Sequence, residues 1–373
     1  MKSTLFNRFC LSLTLAGLTV SAGAAAVNIS FDTQSGPLRF AASEIQAASA
    51  AAKTAATLSV SLRVDAATLS PQGYRIQRDA GRVTVTGGDA VGAMYGGLDV
   101  AEAIRTGALD SLKDTVHSPH IAQRGIKFNI PLDVRTPTYS GWPDSARLNA
   151  LEMWSMDFWR ETFDDMARHR YNLISYWSLN PFPSIVKVPE FPHVALEDVQ
   201  TTDAKTGEHI VVKKMTMDEK IQFWRDVMQL AKDRGVDVYF FNWNVFLEPA
   251  AGKDGITMNR TAPRSIEYFR ASVRETIKTY PLLAGLGITA GEGMPLGDFK
   301  NISKEEWLWQ TYGEGIRDGL KDTPERKFRL IHRFHMTGLG EIQTAFKELP
   351  CPLDLSFKYA IAHMYSVPNP SMI

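Results

Sequence analysis

Residues 217–242 read MDEKIQFWRDVMQLAKDRGVDVYFFN and show the unit from which most of the chain is built. Within Met217–Arg234 the large apolar side chains recur at helical spacing, which predicts a helix with one buried face. They are Ile221, Trp224, Val227, Met228 and Ala231. The run Asp237–Asn242 that follows is short, apolar and aromatic, which predicts a buried strand. A helix that leads directly into a buried strand is typical of parallel sheets.

The same alternation of strand and helix continues on both sides of this unit. We predict six strands: Gly125–Leu132, Asn172–Trp177, Asp237–Asn242, Leu283–Thr289, Phe328–His335 and Leu353–Phe357. The helices predicted beside them are Met156–His169, Met217–Arg234, Arg264–Lys278, Lys304–Leu320 and Ile342–Lys347. This repetition predicts an α/β fold with a parallel sheet.

A parallel sheet of this kind can be either an open sheet or a closed barrel. No predicted strand is followed by a Gly-x-Gly-x-x-Gly or P-loop motif, so the usual signatures of dinucleotide and nucleotide triphosphate sites are missing. Polar side chains instead follow the strand ends, where a (β/α)8 TIM-type barrel builds its active site. We therefore predict such a barrel over residues 119–373. Because six strands are recognisable where eight are needed, we expect the chain to stop inside the barrel.

Residues 27–118 differ in composition from the rest of the chain, since they contain no Trp and all eight Trp lie between Trp142 and Trp309. Here we predict strands Val27–Phe31 and Leu58–Val64, a hairpin over 74–86, and helices Pro37–Ala56 and Ala90–Arg105. These elements predict a small α+β accessory domain that ends at Ser118-Pro119.

Residues 1–26 have the pattern of a secretory signal peptide, with a basic start, an apolar run and a small-residue cleavage site. An N-terminal membrane anchor is the alternative. The apolar run Phe9–Val20 disfavours it, because a spanning helix needs about 20 residues. We expect a secreted or periplasmic protein with no membrane association after cleavage.

The charge balance and the cysteine content exclude several classes of partner and ligand. The 41 basic side chains balance the 41 acidic ones, so there is no overall basic field to hold a nucleic acid. The two cysteines are Cys10, in the segment to be removed, and Cys351. An internal disulfide and a cysteine-ligated zinc site are therefore excluded. We expect no nucleic-acid partner, no metal and no cofactor.

The N-terminal region resembles a known accessory domain. Tyr74-x-Ile76 and Gly81-x-Val83-x-Val85-x-Gly87 precede Ala93-Met94-Tyr95-Gly96-Gly97-Leu98 and Ile104-Arg105. This order resembles the accessory domain shared by α-glucuronidases and β-hexosaminidases, in which a catalytic barrel follows. Its first strand would open here at Arg124–Phe128. The α-glucuronidase type is closer, because hexosaminidases carry an Asp-Glu pair after the fourth strand and this sequence has Gly291-Glu292. The resemblance implies a glycoside hydrolase with a carbohydrate substrate.

Glu292 is the leading catalytic candidate. It follows the apolar strand Leu283–Thr289 and stands between Gly291 and Gly293. An apolar strand end raises the pKa of a carboxyl group, as a general acid in glycosidic cleavage requires, and the glycines let a sugar approach the backbone. The resemblance also implies the general acid at this strand end. A Glu that caps the following loop is the alternative.

Glu341, after the fifth strand, is our candidate for the second carboxylate. The resemblance favours a later strand, but a charge paired with a helix N-terminus would explain Glu341 equally well. Other candidates are Asp133, Glu248 and Asp354. After the sixth strand His363 stands where the resemblance would place an acid, which is a departure from the pattern.

Substrate-binding candidates lie at the other strand ends. Arg333 and His335 share a strand face and would suit a uronate carboxylate, unless a neighbouring acid pairs with them. His332 and His335 face opposite sides and cannot hold one metal ion. Asn242 and Asn244 also share a face, as sugar-binding or as core amides. The other candidates are Asn129, Asp133, Asn180, Lys358 and His363, with Trp142 and Trp177 as sugar-stacking rings.

Together these expectations describe a secreted, α-glucuronidase-like glycoside hydrolase that acts on an acidic polysaccharide or oligosaccharide. A β-N-acetylhexosaminidase-like hydrolase is the alternative enzyme. A non-catalytic carbohydrate-binding protein is the alternative outside catalysis.

Overall fold

The computed structural model describes residues 27–52, 58–137, 149–243, 245–291, 293–294, 296–335 and 337–357. The predicted signal peptide lies outside the described residues, as do five candidate site residues: Trp142, Asn244, Glu292, Lys358 and His363. Among the described helices, none is long and apolar enough to cross a membrane.

The N-terminal region forms a sheet with two helices packed on one face. Its elements are β1 (Asn28–Ser30), α1 (Gly36–Ala52), β2 (Ser59–Val64), β3 (Tyr74–Asp79), β4 (Arg82–Gly87), α2 (Ala90–Arg105) and β5 (Thr115–His117). The strand order is β1-β2-β4-β3-β5, with β3 antiparallel to both neighbours and the other pairs parallel. The predicted α+β layering is present, whereas the three-residue β5 was too short to give a pattern.

Two glycines bring α2 close to its neighbours. A Cβ atom at Gly96 would lie 2.5 Å from Val85 Cγ1, and one at Gly97 would lie 2.8 Å from Ala41 Cβ. The helix begins at Asp89, whose side chain accepts a hydrogen bond from Gly92 N at 2.7 Å. The Gly96-Gly97 pair in the motif therefore allows α2 to pack tightly between β4 and α1.

The second region contains the predicted parallel sheet. Its strands are β6 (Gly125–Asn129), β7 (Leu173–Ser178), β10 (Asp237–Trp243), β11 (Leu283–Thr289), β12 (Arg329–Phe334) and β13 (Leu353–Phe357), while β8 (Val199–Thr202) and β9 (His209–Lys213) form a separate hairpin. In the described residues the six strands are ordered β13-β12-β11-β10-β7-β6, and all pairs are parallel. This is a half-barrel sheet, as in part of a TIM-type barrel.

The helices pack on one face of this sheet. They are α3 (Met156–Arg168), α4 (Phe182–Ile185), α5 (Met217–Lys232), α6 (Pro263–Thr279), α7 (Lys304–Leu308), α8 (Glu314–Leu320) and α9 (Leu339–Ala345). Thr216 and Glu219 close a capping box at the start of α5. The single helix predicted over Lys304–Leu320 is wrong, because a π-helical turn over Trp309–Gly313 separates α7 from α8. Gly313 packs against Trp309 there, and a Cβ atom would lie 2.1 Å from the indole.

Ion pairs and a shared apolar core join the two regions. Glu44 of α1 accepts hydrogen bonds from Arg105 of α2 and from Arg168 of α3, at 2.9 Å for Arg168. Burial would raise the pKa of Glu44, but these hydrogen bonds and charges hold it below its ordinary value. Ala167 of α3 completes the apolar cluster of the N-terminal region.

Candidate active site

The face of the half-barrel sheet turned away from the helices carries polar and aromatic side chains. Outward-facing residues such as Ile174, Tyr176 and Phe240 join the core cluster with α3, α5 and α6. Strand register puts the alternate residues on the opposite side. We call this side the open face. Among its members are Lys127 in the middle of β6 and, nearer the carboxyl ends of their strands, Asn129, Trp177, Phe241, Trp243 and Arg333.

Trp177 is the centre of the open face. Its ring stacks on Phe241 at an interplanar angle of 14°, with the ring centroids 4.5 Å apart. Lys127 Nζ lies over the same ring at 4.2 Å from its centroid, and Arg333 Cζ lies at 5.8 Å. Trp177 is only 8% exposed. The Trp177 ring is therefore in contact with Phe241 and lies close to two cations. It does not present a bare face on which a sugar could stack.

Arg333 and His335 are placed by β12. Arg333 is 8% exposed on the open face, and His335 follows the last residue of the strand and is half-buried. His332 points to the helix layer instead, where its Nε2 lies 2.8 Å from Glu305 Oε2 in a fully buried pair. The opposite directions of His332 and Arg333 follow from strand alternation. Among the described residues, no group of three His, Cys, Asp or Glu could hold a metal ion.

The asparagine candidates separate into two groups. Asn129, at the end of β6, is exposed on the open face in register with Trp177. Asn242 faces the helix layer and is 3% exposed, beside the Tyr312 hydroxyl. Asn180 is fully buried and donates from Nδ2 to Glu248 O at 3.0 Å. Asn129 is therefore accessible on the open face, whereas Asn180 and Asn242 are buried, and neither side-chain polar atom of Asn242 has a hydrogen-bond partner among the described residues.

Asp133 stabilises the loop that follows β6. Its carboxylate is fully buried and pairs with the Arg135 guanidinium at 2.7 Å, while Gln200 N donates to it at 3.0 Å. Arg135 in turn donates to Glu197 O at 2.7 Å. These bonds tie the loop after β6 to the start of β8 and use the acceptor positions that a sugar hydroxyl would need. The proposed site therefore excludes Asp133.

The candidates for a second carboxylate differ in position. Asp354 lies near the start of β13, where it pairs with Arg329 at 2.7 Å, so it is at the wrong end of the strands for a barrel active site. Glu341 is exposed in the first turn of α9, and Thr337 Oγ1 donates to it at 3.3 Å. Glu248 follows β10 and has a buried Oε2 without a hydrogen-bond partner among the described residues.

Arg260 ties together the backbone beside Asn244 and Glu292. Its Nε donates to Val245 O at 2.9 Å, and its Nη2 donates to Gly293 O at 3.2 Å. Asp298 pairs with the same guanidinium at 3.3 Å, and Arg260 is only 8% exposed. A buried cation therefore joins the loops that follow β10 and β11, at the point where the sequence places the leading catalytic candidate.

Sequence reasoning missed Lys127 and Phe241 as members of this site. Lys127 lies in the middle of β6, and a lone lysine in a short strand gives no functional pattern. Its neighbours Ile126 and Phe128 do pack on the core, so the alternation along β6 could have shown that Lys127 faces the open side.

No protein-family model and no curated protein sequence matches this chain. Among solved structures, a GH138 enzyme targeting pectin rhamnogalacturonan II is similar with a TM-score of 0.67 and 24% identity, over 88% of this chain and 37% of that one. The likeness shows the fold. A Streptomyces plicatus N-acetyl-β-hexosaminidase has a TM-score of 0.56 at 13% identity, over 89% of this chain and 70% of that one. A GH20 exo-β-N-acetylglucosaminidase from Vibrio harveyi has a TM-score of 0.50 at 14% identity, over 83% and 51%.

These neighbours are glycoside hydrolases, and they share the fold of this chain over the lengths given above. The chain spans 37% of the length of the first neighbour and 51% of the Vibrio enzyme. The α-glucuronidase type inferred from the sequence is not among the neighbours described above.

Proposed function

We propose that this chain is part of a secreted glycoside hydrolase that cleaves a glycosidic bond in an acidic polysaccharide or oligosaccharide. The observation that carries this proposal is the grouping of Lys127 and Arg333 over Trp177, on the open face of a sheet with a glycosidase fold. Residues 27–118 are the accessory domain in this proposal, and residues 119–373 belong to the catalytic barrel.

An anionic sugar suits this part of the sheet. Lys127 Nζ and Arg333 Cζ lie 4.2 Å and 5.8 Å from the Trp177 ring centroid, so a carboxylate bound beside this ring would be attracted by two positive charges. Arg333 can donate two parallel hydrogen bonds to a carboxylate, and Lys127 adds a point charge. His335 and Asn129 can bind hydroxyl groups of the same sugar. A uronic acid, α-linked as in the substrates of α-glucuronidases, is therefore the proposed terminal sugar.

Glu292 is the proposed general acid. The strand that leads to it is apolar, with Leu286 and Ile288 buried, and an apolar setting keeps a carboxyl group protonated near neutral pH. A protonated carboxyl can donate its proton to the departing glycosidic oxygen. Arg260 would fix the loop that carries it through the Gly293 carbonyl. Metal chemistry has no part in this scheme.

Glu341 is the proposed partner carboxylate. In an inverting enzyme it would activate water at about 6.5–9.5 Å from the acid, and in a retaining enzyme it would attack the sugar from about 5–5.5 Å. Glu341 and Glu248 both follow strands of the same sheet, so both are candidates for this role. Measuring Glu341→Gln and Glu248→Gln as two single variants shows which carboxylate turnover requires. Loss of turnover in Glu248→Gln with full turnover in Glu341→Gln would move the role to Glu248.

Turnover of a defined set of sugars tests the proposed function. The full chain is incubated with oligosaccharides released from rhamnogalacturonan II, because the GH138 neighbour targets that pectin, and with glucuronic-acid-bearing xylan fragments. Release of free uronic acid, measured by anion-exchange chromatography, is the expected result. Release of N-acetylglucosamine from chitobiose without uronic acid would favour the hexosaminidase alternative. Binding of these sugars without turnover would favour the non-catalytic one.

A further inference from the structure

The sheet of the N-terminal region has a second face that no described helix covers. On one face, buried side chains such as Val60, Ile76 and Val85 pack beneath α1 and α2. Strand register arranges the opposite side chains of β2, β4 and β3 in three rows. The rows are Arg63–Thr86–Arg75, Ser61–Thr84–Gln77 and Ser59–Arg82–Asp79. We call these nine residues the arginine grid.

Arginines of the grid differ from the other arginines of the molecule. Most arginines in the described ranges pair with a carboxylate, as Arg168 does with Glu44, or donate to backbone carbonyls, as Arg326 does to Tyr280 O. Within those ranges, Arg63, Arg75 and Arg82 form no ion pair and donate to no carbonyl. Arg63 Nε donates to Ser61 Oγ at 3.0 Å, which holds its side chain within the grid.

The grid therefore carries a net positive charge, and its three arginines form no ion pair within the described residues. Asp79 is its one acidic member, against three arginines. The surrounding region, residues 27–118, has nearly equal numbers of acidic and basic side chains, so this charge is local to one face. Neighbouring strands are about 4.8 Å apart, which places Arg63 and Arg75 about 10 Å apart along one row. A groove of about 390 Å³ adjoins the grid, and its lining includes Ile29 and Val60 beside the polar residues Asn28, Ser59, Arg63 and Arg82.

We propose that the arginine grid is a docking surface for an acidic polysaccharide of the polyuronate class, separate from the candidate active site. Guanidinium groups bind carboxylates in two-point geometry, and the Ser, Thr and Gln side chains between them can exchange hydrogen bonds with sugar hydroxyls. Several weak ionic contacts along one chain add up through avidity and raise the local concentration of substrate at the barrel. The choice of polyuronate rests on the proposed function, whereas the charge of the grid does not.

The side chains of the grid favour this partner over other polyanions. Sheets that bind single-stranded nucleic acids present aromatic side chains for base stacking, and the grid contains none. Membrane-bound surfaces combine basic residues with several apolar side chains that enter the bilayer. The nine grid positions are all polar, and among the described residues the exposed apolar side chain beside them is Val116, in register with Arg75. Hydroxyl and amide groups beside arginines match a polymer that carries both carboxylates and hydroxyls.

Retention in a polygalacturonate gel tests the proposal. The full chain with Glu292→Gln is run in native gels with and without polygalacturonate, so that substrate cleavage cannot alter the matrix. The triple variant Arg63→Gln/Arg75→Gln/Arg82→Gln is expected to bind about tenfold more weakly and with a smaller dependence on salt. The matched control is Arg160→Gln/Lys187→Gln/Arg317→Gln, which removes three exposed charges elsewhere and should be retained like the parent.

A single substitution inside the grid provides an independent test of polygalacturonate binding. Thr84→Glu puts a carboxylate at the centre without removing an arginine, and it should also weaken retention while the melting temperature stays unchanged. Three results would overturn the proposal: no retention of the parent, equal loss in the control, or retention of the triple variant as strong as that of the parent. Binding of phosphatidylserine vesicles or poly(U) RNA without polygalacturonate binding would also overturn it. Uronic acid release by the chain with Glu292 intact reports on the proposed function alone, so the two can fail separately.

Discussion

Lys127 Nζ lies 4.2 Å from the ring centroid of Trp177, on the side of the half-barrel sheet that the helices leave open. A cation over an indole gains about 0.5–2 kcal/mol, depending on how dry the site is. Phe241 stacks on the same indole and fixes its plane, so the position of the ammonium group depends on three neighbouring strands. The Lys127, Trp177 and Phe241 part of the site is thus built on strands rather than on loops.

Removing either cation of the open face should reduce selectivity for acidic sugars. Lys127→Met and Arg333→Met should each raise the KM for an acidic oligosaccharide about 10- to 100-fold, because each removes a charged hydrogen-bond donor. A neutral analogue with its carboxyl group reduced should be affected much less. Lys278→Met, which removes an exposed lysine of α6, is the matched control. Equal losses on acidic and neutral sugars would contradict the assigned role.

Turnover should survive a strong chelator. The proposed chemistry uses carboxyl groups and arginine, and no step in it needs an ion. Incubation with EDTA followed by desalting should leave the rate of uronic acid release unchanged. Activity that is lost on chelation and recovered with one divalent ion would show that Arg333 and His335 have been misassigned.

Lys220 predicts an unusual pH dependence of stability. Burial lowers the pKa of its ammonium group to about 8, although its Nζ donates to Leu196 O at 2.7 Å. Above that pH the folded chain has lost a proton that the unfolded chain still holds, so the free energy of unfolding should rise with pH. The contribution is about 2 kcal/mol between about pH 7.5 and 9.5. Denaturant unfolding of Lys220→Met should lack this rise, and identical slopes for both proteins would rule it out.

Glu44 should stabilise the junction of the two regions. At neutral pH Glu44→Gln should lower the free energy of unfolding by about 1–3 kcal/mol, because it leaves Arg105 and Arg168 without their shared carboxylate. Since the folded pKa of Glu44 is lowered, this stabilisation is present above the unfolded value and is lost as the pH falls through the folded one. Glu102→Gln, an exposed glutamate of α2, is the control. A constant difference from pH 7 down to acid would contradict the linkage.

Strand positions were predicted well because the strands are short apolar or alternating runs between helices with a clear apolar face. Leu283–Thr289 and Leu353–Phe357 match their predicted bounds, and the helix over Ala90–Arg105 does as well. The hairpin of β8 and β9 was not predicted, since Ile210 and Val211 are exposed and no amphipathic pattern marks them. The π-helical turn before Gly313 was not predicted either, because it depends on the contact with Trp309 in three dimensions.

The site was harder to predict than the fold. Alternation along β12 correctly predicted that Arg333 and His332 face opposite sides, yet which side faces the helices depends on packing. Asp133, Asn180 and Asn242 all follow or end strands. Burial distinguishes all three from the exposed Asn129, and Asp133 and Asn180 also form hydrogen bonds. Strand-end position therefore gives candidates, and tertiary contacts decide among them.

The central claim is that Glu292 donates a proton to a departing glycosidic oxygen. Glu292→Gln should be compared with the parent chain on two uronides that share one sugar: one with a sugar leaving group and one with a 4-nitrophenyl leaving group. Turnover should fall about 10²–10⁴-fold on the first and much less on the second, because 4-nitrophenolate departs without protonation. Near-normal turnover on the sugar leaving group would contradict it.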